Sequence, residues 1–388
     1  MDIAVAGGGM VGAACALALA QRGFSVALLE AREPVPWHAD EPEDLRVIAL
    51  APSSARLLDG LGIWRDVAAA RVSPYRCMRV WDAASGAGLT FDAAREGRAQ
   101  LGWIVENRLV AWTLWKALEN AGVRRVCPAQ VESLAQGDGR VVLVLDDGEN
   151  LAATLLVVAD GADSKLREQT NVSVRGRDYH QRALVAHVAS ERAHQNTAWQ
   201  RFTGEGPIAL LPLADGRSSI VWSLPESRAR EVLALDDAAF CEAAGIASDF
   251  RLGRLTATTP RASFPLRLQI ARRFAAGRCV FIGDAAHAVH PLAGQGANLG
   301  LRDVAELAAV LGEARAAGRD FAAPHVLQRY ARRRRASAVL DANAIDAIER
   351  VFAWHSPAWA ALRGTGMRAI DAVEPLKNRL SAHAAGVD

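Results

Sequence analysis

The sequence predicts an α/β fold that joins a Rossmann-like parallel-sheet domain to an antiparallel-sheet domain and a C-terminal helical region. Three observations support this class. Residues 2–30 follow a strand, glycine, helix, strand order; short alternating apolar runs fill residues 175–265; and a helical pattern continues beyond residue 315. The predicted boundaries are 1–75, 98–175 and 266–315 for the discontinuous first domain, 76–97 and 176–265 for the second domain, and 316–388 for the helical region.

The composition is that of a globular protein with material for a large core, because 51% of the 388 residues are hydrophobic and 23% are charged. A net charge of +2 gives no general case for nucleic-acid binding. The five cysteines form no CxxC pair, which argues against a disulfide framework or a zinc site and favours a reducing, cytoplasmic setting. No apolar run approaches the roughly 20 residues of a membrane span, so we expect any membrane contact to be peripheral.

The first predicted strand runs into the glycine motif Gly7-Gly8-Gly9-Met10-Val11-Gly12, and Glu30 ends the next strand. In such a motif the first glycine makes a tight turn, the second admits a pyrophosphate to the backbone, and the third lets helix and strand pack closely. An acidic residue at the end of the second strand can accept hydrogen bonds from a ribose. The alternative is a helix-packing glycine cluster with a surface glutamate, but the strand and helix context favours a dinucleotide site.

Two further strand ends carry residues of the kind that bind cofactors. Asp160-Gly161 follows the apolar run 151–158, which we interpret as the long second strand of a hairpin that begins at residue 140. Gly283-Asp284 follows the strand 279–282, and a glycine-rich loop then leads into a helix from about Ala297. A helix start offers unpaired N–H groups and a positive dipole to an anionic ligand. Taken alone, Asp160-Gly161 is equally typical of an ordinary turn.

Several other segments have less specific assignments. We interpret residues 33–44 as a mobile surface loop, and expect Arg46 either to hold a phosphate or to cap the domain. The basic run 332–335 is typical of a solvated helix face. His287 and His290 are three residues apart, but without a carboxylate or thiolate cluster at ligand spacing we expect no metal site. An apolar pocket wall is predicted from the residues Trp199, Phe202, Leu210, Leu211 and Trp222.

The stretch 290–303, HPLAGQGANLGLRD, is similar position for position to the signature of the ubiquinone-biosynthesis hydroxylases. Together with the GxGxxG, DG and GD segments, it makes the chain resemble the class A flavoprotein monooxygenases of the para-hydroxybenzoate hydroxylase fold. Further similarity to that family lies in residues 45–46, 78–82, 104–107 and 212–224. Within the family, the chain is most similar to the enzymes that hydroxylate 2-polyprenylphenol or a later demethoxy-quinol.

This resemblance implies an FAD-dependent monooxygenase that hydroxylates a polyprenylated phenol or quinol. It implies that FAD, reduced by NAD(P)H or by a partner electron donor, reacts with O2 to give a flavin-4a hydroperoxide that delivers one oxygen atom to the ring. The flavin carries the difficult step, so no catalytic side chain is predicted. The implied cofactor-binding residues are Gly7, Gly9, Met10, Val11, Gly12, Glu30, Arg46, Asp160, Gly161, Gly283, Asp284, Leu292, Ala293, Gly294, Gln295, Gly296, Ala297 and Asn298.

Partners and location follow from the same resemblance. A polyprenylated substrate is located in a lipid bilayer. We therefore expect the protein to be either cytoplasmic or peripheral on the inner membrane, where it would bind through the basic run 332–335 and the aromatic residues Phe352, Trp354 and Trp359. Other quinone-biosynthesis proteins and a second copy of the chain are further candidate partners. Two rival functions remain: a hydroxylase of another small aromatic on the same fold, and a non-catalytic FAD-binding assembly subunit.

Overall fold

The computed structural model describes residues 1–137, 139–289, 295–354 and 356–386. Its helices are α1 (Met10–Ala20), α2 (Pro52–Gly60), α3 (Trp64–Ala69), α4 (Asn107–Asn120), α5 (Lys165–Gln169), α6 (Glu226–Leu233), α7 (Asp237–Ala247), α8 (Gln295–Ala316), α9 (Pro324–Ala353), α10 (Pro357–Ala372) and α11 (Glu374–Ala385).

The strands are β1 (Ile3–Ala6), β2 (Val26–Leu29), β3 (Val47–Leu50), β4 (Val72–Tyr75), β5 (Cys77–Asp82), β6 (Gly88–Asp92), β7 (Gly102–Glu106), β8 (Arg124–Val126), β9 (Val131–Gly137), β10 (Arg140–Leu145), β11 (Asn150–Ala153), β12 (Leu155–Val158), β13 (Val174–Ser190), β14 (Thr197–Phe202), β15 (Pro207–Pro212), β16 (Ser218–Pro225), β17 (Leu255–Thr258), β18 (Ala262–Ala271), β19 (Ala275–Ala276), β20 (Cys279–Phe281) and β21 (His287–Ala288).

A parallel sheet with the order β8-β2-β1-β12-β20 forms the centre of the fold, and the short strand β19 is added antiparallel at one edge. Strands β1, β2, β12 and β20 are uninterrupted apolar runs whose residues are all buried, as expected for strands covered on both faces. The chain winds outward from β1 in both directions, so the strand order reverses between β1 and β12. In such sheets ligands bind at the carboxyl ends of the strands beside this reversal.

Helix α1 holds the sheet to the rest of the core. It consists of small and apolar residues, most of them buried, and it contacts both α4 and α8. Alanine and glycine at these positions allow helices and strands to approach closely. Helix α4 packs on the same core with two tryptophans: Trp115 is buried, and Trp112 is partly buried.

A second, larger sheet has the order β21-β18-β13-β16-β15-β14-β5-β6, with β17 paired to β13. Its strands run antiparallel to their neighbours except at the β14–β5 pair, which is parallel. One face of this sheet packs on α6 and α7, and Trp222 and Phe240 are members of that buried cluster. The antiparallel pattern predicted for residues 175–265 is confirmed, and β5 and β6 form a further hairpin in the same sheet.

The predicted hairpin from residue 140 is only partly right, because the run 151–158 is two strands instead of one. Strand β11 pairs antiparallel with β10 in a small sheet, whereas β12 pairs with β1 and β20 in the parallel sheet. The chain changes sheets at Thr154, whose N–H donates to the carbonyl of Asp2 at 3.0 Å. Both segments are apolar, so hydrophobicity alone does not reveal the break.

The C-terminal helices predicted beyond residue 315 are confirmed. Helix α10 is attached by a buried ion pair: Arg363 donates to Asp82 at the end of β5, with Nη2 to Oδ1 at 2.8 Å and Nε to Oδ2 at 3.1 Å. Helix α11 is mainly held by polar contacts, among them Ser381 Oγ to Glu96 at 2.7 Å and His383 Nε2 to Asp341 at 2.6 Å. Within the described residues, no helix combines the length and the apolar character that crossing a membrane requires.

The segment 33–44, interpreted from the sequence as a mobile loop, has no helix or strand, but it is attached to the fold at several points. Glu106, at the end of β7, accepts hydrogen bonds from Trp37 Nε1 at 3.1 Å and from the backbone N–H of Asp44 at 2.8 Å. The carbonyl of Asp44 also lies 3.0 Å from His187 Nε2. These contacts place the following strand, β3, at one wall of the site.

Candidate functional site

The three predicted segments meet at one edge of the parallel sheet. Gly7 follows β1, Asp160 follows β12, and Gly283 follows β20, with backbone hydrogen bonds continuing the ladder past the strand ends. The N–H of Ala159 donates to Ala6 at 2.8 Å, and the N–H of Ile282 donates to Val158 at 3.0 Å. Segments separated by more than 270 residues are therefore assembled into one site.

The glycine motif leaves a cradle that side chains would fill. Gly7 has a φ of +102°, and a Cβ atom there would overlap the carbonyl of Ala159. A Cβ on Gly12 would overlap the carbonyl of Gly7. Gly9 differs, because a Cβ there would meet nothing within 4 Å, and no side chain caps the N-terminus of α1. The first N–H groups of α1 therefore face open space, which suits a pyrophosphate.

Glu30 lies beside this cradle at the end of β2. Its Oε2 accepts a hydrogen bond from the N–H of Gly8, and its Oε1 accepts one from the N–H of Arg32 at 3.2 Å. These bonds hold the carboxylate next to the glycine motif. This is the position in which an acidic residue accepts hydrogen bonds from an adenosine ribose.

Two carboxylates line the same sheet edge farther along. The side chains of Asp160 and Asp284 are reached by solvent, but the surrounding protein limits their hydration and raises the pKa of each carboxyl. His287 and Arg46 counteract this effect at Asp284 by lowering its pKa. Arg46 is exposed, and because its charge acts on the Asp284 carboxyl, its guanidinium lies near the predicted cofactor segment.

Arg167 joins two of the cofactor segments, a role that the sequence did not indicate. Its side chain is buried and donates to the carbonyl of Ala285 at 2.9 Å and to the carbonyl of Ala162 at 3.0 Å. The backbone after Gly161, where φ is +95°, is thereby linked to the turn after Asp284. A polar residue in a five-residue helix gives no sequence signal for such a contact.

A buried ionic network fixes the Gly283 turn to the helices behind it. Asp303 is fully buried; its Oδ2 accepts from the N–H of Gly283 at 2.9 Å and lies 2.6 Å from His287 Nε2, and its Oδ1 accepts from Arg334 Nε at 2.7 Å. Burial alone would raise the pKa of Asp303, but His287 and Arg334 lower it. Arg334 therefore departs from the solvated helix face expected for residues 332–335.

The start of α8 closes the other side of the edge. Leu292, Ala293 and Gly294 lie outside the described residues, as do His290 and the side chain of Gln295. Gly296 and Ala297 are partly exposed, whereas Asn298 is buried. Its Oδ1 accepts from the N–H of Ala51 and from Ser54 Oγ, both at 2.8 Å, and its Nδ2 donates to Ala49 at 2.8 Å. The Asn298 side chain therefore braces α8 against β3 and α2.

The helix starts of α1 and α8 also meet at this edge. A Cβ on Gly283, where φ is +57°, would lie 3.1 Å from a methyl carbon of Val11, and a Cβ on Gly300 would lie 2.6 Å from another. Met10 is buried within the same core. Of the predicted cofactor residues, Met10 and Val11 thus contribute packing that holds the two helix starts together.

An apolar cavity lies next to the start of α8. It contains about 1220 Å³ of space free of protein atoms, part of it open to solvent, and Asn298 is one of its lining residues. The large sheet forms one wall, β3, β4 and β7 contribute a second, and α11 contributes Leu380 and Ala384. The cavity therefore joins the cofactor edge to the open face of the second sheet.

The predicted apolar wall is only partly right. Along these strands, it is mainly the residues between the predicted ones that face the cavity. Leu211 and an edge of Trp199 line the cavity, but Leu210 and Trp222 pack against α6 and α7. Phe202 stacks on Phe352, with ring centroids 3.8 Å apart. The residues that line the cavity on this sheet also include Ala198, Gln200, Pro207, Ala209, Val221 and Ser223. In the sequence, these residues alternate with larger apolar ones, as expected for the two faces of a strand.

Comparison with known proteins identifies the class of protein that this fold and edge define. Residues 1–342 match the family described as FAD binding domain, so the protein is a flavoprotein. The solved structure of p-nitrophenol 4-monooxygenase PnpA from Pseudomonas putida DLL-E4 superposes with a TM-score of 0.77 at 19% identity, covering 98% of this chain and 96% of that one. HpxO from Klebsiella pneumoniae, solved with FAD and uric acid, has a TM-score of 0.76 at 19% identity, covering 100% and 96%.

Sequence relatives define the family more narrowly. The chain is 38% identical to 3-demethoxyubiquinol 3-hydroxylase of Escherichia coli, covering 100% of this chain and 98% of that protein. It is 34% identical to the mitochondrial ubiquinone biosynthesis monooxygenase COQ6 of Homo sapiens, covering 99% and 92%. The chain belongs to the ubiquinone-biosynthesis hydroxylase family of FAD-dependent monooxygenases, which confirms the resemblance, the fold class and the enzyme class predicted from the sequence.

The Asp303 network gives a prediction about stability. Replacing Asp303 by Asn should lower the free energy of unfolding at pH 7 by about 3–5 kcal/mol, because the buried Arg334 charge loses its partner. Since the folded state lowers the pKa of Asp303, this contribution is fully present above about pH 4 and declines at lower pH. Urea unfolding at fixed FAD concentration, repeated between pH 7 and pH 3, measures both effects.

Glu313→Gln is the matched control, because Glu313 lies on the same helix and pairs with Arg329 of α9 at an exposed site. The control should cost about 1 kcal/mol or less. A loss for Asp303→Asn no larger than that of the control would contradict the structural role of the network.

Proposed function

We propose that the protein hydroxylates the ring of a polyprenylated phenol or quinol in ubiquinone biosynthesis, with NAD(P)H as the reductant and O2 as the co-substrate. The observation that carries the proposal is the apolar cavity at the start of α8, next to the sheet edge where FAD would bind. A largely apolar chamber suits a hydrophobic ring and its prenyl chain. The family relatives, named for hydroxylation in ubiquinone biosynthesis, support the same substrate class.

In this proposal FAD lies along the carboxyl edge of the parallel sheet, within the domain formed by residues 1–75, 98–175 and 266–315. Gly7, Gly9 and Gly12 admit its pyrophosphate, and Glu30 accepts hydrogen bonds from its adenosine ribose. Asp284 and Arg46 contact the ribityl and phosphate region. Residues 292–298 line the isoalloxazine, and Asp160-Gly161 lies near the approach of NAD(P)H. Bound FAD supplies the redox chemistry that activates O2.

The protein's own contribution is to position the ring and to exclude water. The cavity wall consists mainly of alkyl and aromatic side chains, which remove competing hydrogen-bond partners from the reacting ring. The brace from Asn298 to Ala49, Ala51 and Ser54 ties the cofactor loop to a wall of the cavity. A fixed separation between loop and wall is what an oxygen transfer to one ring carbon requires.

Gly9 provides a test of the FAD position. Gly9→Ala should fold as well as the parent, because its φ of −62° suits alanine and a Cβ there meets no atom within 4 Å. The new methyl group would enter the space assigned to the pyrophosphate, so FAD affinity should fall by tenfold or more. Affinity is measured by titrating the flavin-free protein with FAD, and folding by circular dichroism.

Gly60→Ala is the control, since a Cβ at Gly60 also meets nothing within 4 Å but lies on α2, away from the glycine motif. This variant should keep parental FAD affinity. Unchanged FAD binding in Gly9→Ala would place the pyrophosphate elsewhere.

The reaction itself is tested by removing the gene and identifying the quinone intermediate that accumulates. The accumulated compound should lack one ring hydroxyl group, and its structure names the carbon that the enzyme hydroxylates. Purified FAD-loaded protein should then convert that compound while consuming NAD(P)H and O2. A non-catalytic assembly role predicts instead that purified protein leaves the compound unchanged.

We further propose that the C-terminal helices contact an anionic membrane surface, with other quinone-biosynthesis proteins or a second copy of the chain as the alternative occupants. Large apolar side chains that are 44–62% exposed concentrate there: Leu340, Ile348, Trp354, Leu362, Val373, Leu376 and Leu380. Arg332, Arg333 and Arg335 are exposed on α9 and match the charge of anionic lipids. Phe352 is excluded from this surface because it stacks on Phe202.

The membrane contact is tested with Trp354→Glu combined with Leu362→Glu. Both side chains are about 60% exposed, so the double variant should fold normally but bind anionic vesicles about tenfold more weakly in co-sedimentation. Ile246→Glu, an equivalent change at a 58% exposed position on α7, is the control and should bind like the parent. Equal vesicle binding by all three proteins would rule out this contact, and a loss of self-association in the double variant would assign the surface to a second copy.

A further inference from the structure

Besides Trp199, whose buried Nε1 also has no partner, the apolar cavity contains three polar side chains that make no side-chain hydrogen bond to the part of the chain that the structure describes. They are Tyr75 on β4, Gln200 on β14 and Ser223 on β16. Gln200 and Ser223 are only 7% and 2% exposed. Buried polar groups in folded proteins nearly always have a hydrogen-bond partner, and a group without one destabilises the fold. These side chains therefore point to a ligand that supplies the missing partner.

Gln200 lies in the middle of the sheet wall. The strand register places it opposite Ala209 on β15 and Val80 on β5, and Ala209 lies opposite Val221 on β16. Side chains in such a row project from the same face of the sheet. The residues that flank Gln200 across the wall are therefore small or aliphatic, and none can accept or donate a hydrogen bond through its side chain. A flat ring that lies on this wall would find one amide group to bond.

Tyr75 approaches the same space from the second wall. Strand β4 pairs with β7 in the small sheet that also contains β3, so the hydroxyl belongs to a different element from Gln200. Burial raises the pKa of Tyr75 to about 12. The hydroxyl consequently stays protonated at physiological pH and is available as a hydrogen-bond donor.

We propose that Gln200 and Tyr75 are the specificity-determining residues of the cavity, and that they hydrogen-bond the oxygen substituents of the substrate ring from two walls. The Tyr75 hydroxyl donates to a ring oxygen, and the Gln200 amide accepts from a ring hydroxyl or donates to an ether oxygen. Two such contacts fix the rotation of the ring about its own axis. They thereby determine which ring carbon faces the cofactor loop, a choice that the purely apolar part of the wall cannot make. This inference rests on the proposed ring hydroxylation.

The test uses the FAD-loaded enzyme with Gln200→Met and with Tyr75→Phe, which keep side-chain volume but remove the polar group. The probe is a short-chain prenylated quinol, compared with the prenylated benzene that lacks the ring oxygens. Each variant should bind the quinol about five- to tenfold more weakly, as expected for the loss of one hydrogen bond, and should bind the oxygen-free compound like the parent.

Two further readouts separate specificity from a structural role. The variants should release more hydrogen peroxide per NAD(P)H oxidised, and should give a mixture of ring positions in the product, because the ring is no longer held in one rotation. Their melting temperatures should stay close to that of the parent, since neither substitution removes a side-chain hydrogen bond within the described part of the chain. A lower melting temperature with unchanged quinol affinity would overturn the inference in favour of a structural role.

Tyr179→Phe is the matched control, because the Tyr179 hydroxyl bonds to Asp346 at 3.0 Å and Tyr179 is not among the residues that line the cavity. It should keep parental affinity and product position. If the parent enzyme hydroxylates the quinol but the variants match it in affinity, coupling and product, the specificity inference fails while the proposed function stands. If the parent enzyme neither binds nor hydroxylates the quinol, the proposed function itself fails.

Discussion

The site depends on one buried carboxylate. Asp303 on α8 holds the N–H of Gly283 and the His287 ring on one oxygen and the Arg334 side chain on the other, so the turn after β20, helix α8 and helix α9 are fixed at a single point. A buried charge without such partners would cost several kcal/mol, which makes the three partners interdependent. The glycine turn next to the parallel sheet therefore keeps its shape because Arg334, more than 50 residues after Gly283, supplies a cation.

Around this point, the fold separates two chemical tasks between two sheets. The parallel sheet presents backbone N–H groups and carboxylates at one edge, where close approach matters more than side-chain variety. The antiparallel sheet presents alternating side chains, so one face can pack on α6 and α7 while the other lines a cavity. The Asn298 side chain fixes the position of these two surfaces relative to each other, because it forms hydrogen bonds from the start of α8 to β3, α2 and the residue between them.

Much of this arrangement could be predicted from the sequence, because it depends on local patterns. Two local patterns identify the parallel sheet and its edge. One is the set of uninterrupted apolar runs, and the other is the set of glycines at positions where two backbone segments come close together. The break at Thr154 was missed since both sides of it are apolar, and the buried state of Arg334 was missed because its partner lies 31 residues earlier. The cavity wall was assigned to the larger residues, whereas the open face carries the smaller ones such as Ala209. Alternation predicts two faces but does not reveal which one a helix covers.

The residues that line the cavity come from most of the chain, from Val47 on β3 to Ala385 on α11. During synthesis from the N-terminus, the strands of the parallel sheet are complete once β20 has emerged, about 100 residues before α11. The turn after β20 is fixed only when Asp303 on α8 and Arg334 on α9 have also emerged. From that point the flavin edge can assemble while the chamber still lacks α11, its last wall. A ribosome-bound chain at that stage has the glycine cradle but not yet a closed cavity. FAD can therefore bind before the protein is able to retain a substrate.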